Sequence, residues 1–148
     1  MPTTILKDGH FAPFRVELDE SSGPTSPRFQ YALTVAVWCD GGPVHAVREE
    51  RSGSPRRKIH ASGELSREAA EKLVRALEKH DALSRAFDHV GDAQDDKGHS
   101  CNRLVVHVGE ARAEVHYLLR TLEKPKHTAE AEIVKAIKEA AATLPVAG

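Results

Sequence analysis

Residues 28–40 read Arg28-Phe29-Gln30-Tyr31-Ala32-Leu33-Thr34-Val35-Ala36-Val37-Trp38-Cys39-Asp40. Phe29, Tyr31, Leu33, Val35, Val37 and Cys39 alternate with Gln30, Ala32, Thr34, Ala36 and Trp38. A period of two over this length predicts one long strand, because successive side chains point to opposite faces of a sheet. The second set is small and weakly polar, too apolar for a freely solvated surface, so that face is expected to be partly covered.

The neighbouring segments extend the pattern. Asp40-Gly41-Gly42-Pro43 is a turn, and Val44 to Glu50 returns as the second arm of a hairpin. Upstream, Glu20 to Pro27 is a loop by composition, and Phe11 to Leu18 alternates loosely as a first strand. Pro13 within that strand predicts an edge position, since proline cannot donate to a ladder. Downstream, Arg51 to Arg57 is a polar loop and Lys58 to Leu65 a short strand.

A helix is expected from Arg67 to about Lys79, with Ser66 as its N-cap and Ala69, Ala70, Leu73, Val74 and Leu77 as its apolar stripe. Ala82, Leu83 and Phe87 suggest one further helical turn. Cys101 to Val108 and Ala111 to Leu119 form a second hairpin about Gly109-Glu110. Pairing Val108 with Ala111 puts Leu104, Val106, Val108, Ala113, Val115 and Tyr117 on one face. A last helix runs from Thr128 to about Leu144, with Ile133, Ile137 and Ala140 turned inward. The order β-ββ-β-α-ββ-α defines an α+β domain: a mostly antiparallel sheet of five to six strands with two main helices packed on it. All 148 residues form a single domain, with 1–9 and 146–148 as flexible ends.

Composition narrows the function. Twenty-one basic and 22 acidic residues leave a net charge of −1. That balance removes the long-range field of a dedicated nucleic-acid or anionic-membrane binder, and it eases self-association. Nine histidines add a charge that grows between about pH 7.5 and 5.5. There is no signal-peptide core and no run of membrane-spanning length, so a soluble cytoplasmic protein is expected. Cys39 and Cys101 are too few for a disulfide framework and read as buried thiols, although the sequence leaves open a single bridge between them.

Four constellations could carry chemistry. Asp92, Asp95, Asp96 and His99, in the acidic loop 88–99, are the candidate metal ligands. The stretch fails as a calcium loop, because Lys97 stands where glycine is needed and Arg103 where the closing glutamate belongs. His99, Ser100, Cys101 and His60 are residue types found in hydrolases, but no nucleophile motif surrounds them, so no catalytic residue is assigned. The basic run Arg51, Arg56, Arg57 and Lys58 could touch phosphates, yet it lacks interleaved aromatics and follows Glu49-Glu50.

The fourth constellation is the polar face of the second hairpin: Arg103, His107, Arg112, Glu114 and His116. His107 pairs with Arg112 and His116 with Arg103, so the imidazoles stand about 13 Å apart and cannot share one metal ion. Trp38 is expected beneath a helix or the loop 91–100; left uncovered, it is an aromatic anchor. These six residues form the candidate partner-binding site. The expectation is a non-enzymatic interaction or regulatory module without a cofactor, binding a protein partner or itself through a sheet face or edge. A small metal-dependent or hydrolytic enzyme using loop 88–99 is the alternative, and phosphate or nucleic-acid contact through 51–58 the third reading.

Overall fold

The computed structural model describes residues 3–21, 31–52, 57–84, 101–117 and 128–145. The strands are β1 (Leu6–Lys7), β2 (His10–Phe11), β3 (Phe14–Ser21), β4 (Tyr31–Cys39), β5 (Val44–Ser52), β6 (Arg57–Glu64), β7 (Cys101–Val108) and β8 (Ala111–Tyr117). Helix α1 spans Arg67–Lys79 and α2 spans Thr128–Ala142, with a 3-10 turn at Ala82–Ser84. Six strands make one antiparallel sheet in the order β6-β5-β4-β3-β7-β8, and β1 and β2 make a separate two-stranded sheet. The α+β class and the element order are those expected from the sequence.

The alternation that predicted β4 sorts the sheet into two faces. Val16 and Leu18 of β3, Val35 and Val37 of β4, and Leu104 and Val106 of β7 are buried against Leu73 and Leu77 of α1 and Ile133 and Ile137 of α2. Ser66 caps α1 as its sequence position predicted, its hydroxyl accepting from the Ala69 amide at 3.1 Å. Glu71 in the same helix bridges Arg67 at 3.0 Å and Arg75 at 3.7 Å. Val108 pairs with Ala111, His107 with Arg112 and Arg103 with His116, the register expected for the second hairpin. No helix among the described residues is long and apolar enough to cross a membrane.

One expectation is corrected. Pro13 does not mark an edge. It precedes β3, which is central, between β4 and β7. Standing before the first paired residue, Pro13 removes no ladder donor, while its carbonyl accepts from the Gly109 amide at 3.2 Å.

From Thr3 onward the amino-terminal segment is hydrogen-bonded to Glu78 of α1 and to Asp81 just beyond it. Leu6 pairs with Phe11 and Lys7 with His10 across a two-residue Asp8-Gly9 turn, both of whose residues have positive φ, 51° and 81°. Ile5 is fully buried. One Glu78 oxygen accepts from the Ile5 amide at 2.8 Å and the Leu6 amide at 3.1 Å. Asp81 accepts from the Thr3 amide at 2.9 Å and from its hydroxyl at 2.8 Å. Residues 1–2 and 146–148 lie outside the described residues.

The register also answers the cysteine question. Cys39 pairs with Phe14, whose neighbour on β7 is Val108, at the opposite end of that strand from Cys101. Seven residues at about 3.3 Å each hold the two cysteine backbones more than 20 Å apart. A disulfide needs a Cα separation of about 4.4–6.8 Å, so no bridge joins them. Cys39 is a buried free thiol whose Sγ lies 3.2 Å from the Gly42 carbonyl oxygen.

Candidate interaction face

The face of the sheet turned away from α1 and α2 carries every sequence-predicted partner residue whose side chain is described. Residues directly opposite one another on paired strands share a face. One transverse row therefore runs Glu64, His45, Trp38, Arg15, His107, Arg112. The next runs Ser62, Val47, Ala36, Glu17, Val105, Glu114, and the third begins His60, Glu49, Thr34, Asp19, Arg103. His116 follows Arg103 in the backbone pairing, and its side chain is outside the described set.

Trp38 sits near the middle of the first row and is half-buried. Helices α1 and α2 pack on the other side of the sheet, and loop 91–100, the other cover expected for it, lies outside the described residues. Its ring is flanked on both sides by register neighbours. His45 stacks at a centroid distance of 5.8 Å with an interplanar angle of 29°, and the Arg15 guanidinium carbon lies 5.6 Å from the Trp38 centroid. A cation over an exposed indole contributes about 0.5–1 kcal/mol. The indole is thus held upright by its neighbours with part of its surface left to solvent. Sequence reasoning found Trp38 but missed His45 and Arg15. Their signal was available only once the pairing of β4 with both β3 and β5 was known.

Charge on the β3–β7–β8 part of this face is internally neutralised. Arg15 pairs with Glu17 at 2.9 Å, Arg103 with Asp19 at 3.0 Å and Glu114 at 3.9 Å, and Arg112 with Glu114 at 2.7 Å. These side chains are between 28% and 50% exposed. Ion pairs in that environment contribute at most about 1 kcal/mol each, so they can be exchanged for contacts with a second molecule at little cost to the fold. Amid them Val105 is 1% exposed, yet it lies outside the main core cluster. Glu17 and Glu114 are its direct cross-strand neighbours. The face therefore carries the half-buried Val47 and Ala36 beside the tryptophan row, with Val105 of the same row closed off from solvent and paired charges on the β3–β7–β8 side.

The remaining candidates do not join this site. Asp92, Asp95, Asp96 and His99 lie outside the described residues, and no group of three potential metal ligands occurs among the described ones. His60 stands 3.3 Å from Glu49 on the open face. Of the basic run, Arg51 and Lys58 are opposite one another where β5 meets β6, and residues 53–56 lie outside the described set. Arg48, which flanks that run in sequence, belongs to the helix side of the sheet, with one guanidinium nitrogen 3.8 Å from Glu50. It does not extend the basic patch. A cleft of about 170 Å³ lies beside it, lined by Leu33, Val35, Glu50, Lys138 and Ala141.

Comparison with known protein families, curated proteins and solved structures gives no match, so the face is interpreted from its own geometry.

Proposed function

We propose that this protein is a non-enzymatic interaction module that docks a protein partner on the sheet face turned away from α1 and α2, with Trp38 as the anchor. The observation that carries the reading is the half-buried Trp38, flanked by His45 and Arg15 and lying beside the half-buried Val47 and Ala36. Aromatic side chains held rigidly at the centre of a surface lose little entropy on binding and dominate interface energetics. The rim supports a protein in preference to a nucleic acid. Arg15, Arg103 and Arg112 are matched by Glu17, Asp19 and Glu114, so the face lacks the positive field that phosphates require. A partner surface with its own paired charges around an apolar centre fits it.

The test is capture of a partner from the source cell by the untagged chain, followed by variants of the face. Trp38→Ala, and separately Arg103→Glu with Arg112→Glu, should abolish capture while circular dichroism and thermal unfolding stay close to the parent's. Arg75→Glu, on the exposed surface of α1, should leave it intact. Capture that survives both face variants refutes the reading.

A further inference from the structure

We infer that the protein forms a two-fold dimer by antiparallel pairing of β6 with the β6 of a second copy. This rests on the sheet edge and stands apart from the docking reading of the sheet face. β6 is the outermost strand of the sheet, and among the described residues only β5 pairs with it. An unpaired strand edge is a template for another strand. The charge pattern of β6 makes a second copy the fitting occupant.

Lys58, His60, Ser62 and Glu64 lie on the open face, because they oppose Arg51, Glu49, Val47 and His45 of β5. All four are exposed. Among the described residues Lys58 and Glu64 have no ion-pair partner; Lys58 instead lies directly opposite Arg51, a like-charge pair that disfavours this pairing locally. For two copies to share one continuous sheet with their helices on the same side, open-face residues must meet open-face residues. Among two-fold registers that satisfy this, the one overlapping all of 58–64 centres on Ala61 facing its own copy. Lys58 then faces Glu64 of the other chain, twice by symmetry, and His60 faces Ser62. Each incoming carboxylate neutralises the Lys58–Arg51 corner. The isologous surface is complementary to itself, as a closed dimer requires.

The other outer strand does not offer this. Full antiparallel overlap of β8 with its own copy would set Glu114, the middle residue of Ala111–Tyr117, against itself.

The experiment measures the mass of the full chain by sedimentation equilibrium from micromolar to millimolar concentration. The wild type should move from one chain mass to two. Lys58→Glu alone and Glu64→Lys alone each set like charges against one another at both ends, and each should weaken dimerisation about tenfold or more. Mixing those two single variants in equal amounts restores both opposite-charge pairs and should give a heterodimer. The doubly exchanged chain, Lys58→Glu with Glu64→Lys, should again form a homodimer. A wild type that keeps one chain mass throughout overturns the inference, as does a mixture no more associated than its components. Trp38→Ala should leave the dimer unchanged, so failure of the edge and failure of the docking face are read separately.

Discussion

Replacing Glu78 with alanine tests whether the amino-terminal segment is part of the fold. One carboxylate oxygen accepts from the amides of Ile5 and Leu6 at 2.8 and 3.1 Å, next to a side chain with no solvent exposure. Without that acceptor two outcomes compete. If the segment stays docked, two amides lose their partner at about 1–3 kcal/mol each. If it detaches, Ile5 gives up about 1.5–3 kcal/mol of burial and the Thr3–Asp81 hydrogen bonds are lost with it. The cheaper route sets the loss, about 2–3 kcal/mol. Urea unfolding should show a lower midpoint by that amount, and hydrogen exchange should quicken at residues 5–12 while β4 and α2 stay protected. Glu78→Gln keeps an acceptor oxygen without its charge and should cost about 1 kcal/mol, roughly the difference between a charged and a neutral hydrogen bond. A Glu78→Ala variant within about 0.5 kcal/mol of the parent, with unchanged exchange at 5–12, would refute the tether.

Other sites give simpler expectations. Glu20 is 1% exposed and its carboxylate lies 2.7 Å from Lys138 of α2. Lys138→Met should therefore cost about 1–3 kcal/mol in urea unfolding, and adding Glu20→Gln should recover most of it. Gly109 turns the chain between β7 and β8 at φ +59°, so Gly109→Ala should lower stability by about 1 kcal/mol in the same assay. Cys39 is fully buried and should resist a thiol reagent until the chain unfolds, read by mass on the peptide that contains it. Rapid labelling in the folded state would contradict its position.

What the sequence revealed was local. The alternation around Tyr31–Cys39, the pairing of Val108 with Ala111 and the Ser66 cap depend on residues close together in the chain, and the structure reproduces all three. Hairpin register follows from turn length and face assignment, both written in a short stretch. The placement of β3 was not legible, because its pairing with β7 joins segments that no local pattern connects. Pro13 misled for the same reason: its meaning depends on whether the strand begins before or after it. The Asp8-Gly9 dipeptide between Leu6 and Phe11 has hairpin-turn chemistry, but the two-residue strands it joins fall below the length at which alternation can be seen. At the face, residue types named Trp38 and the arginines. Only the order of strands could show that His45, Trp38, Arg15, His107 and Arg112 stand in one line.

The central position of β3 also shapes how the chain can be made. Asp19 and Arg103, joined across the β3–β7 pair at 3.0 Å, are 84 positions apart in the chain. At about 5–20 residues per second a ribosome needs roughly 4–17 seconds to cover that interval. Throughout it β3 can pair with β4 alone, so the strand that ends in the middle of the sheet begins as its edge. A nascent chain paused within the interval displays the future seat of β7 to any other strand. Slow codons or a downstream truncation there should produce aggregates that the finished protein does not form.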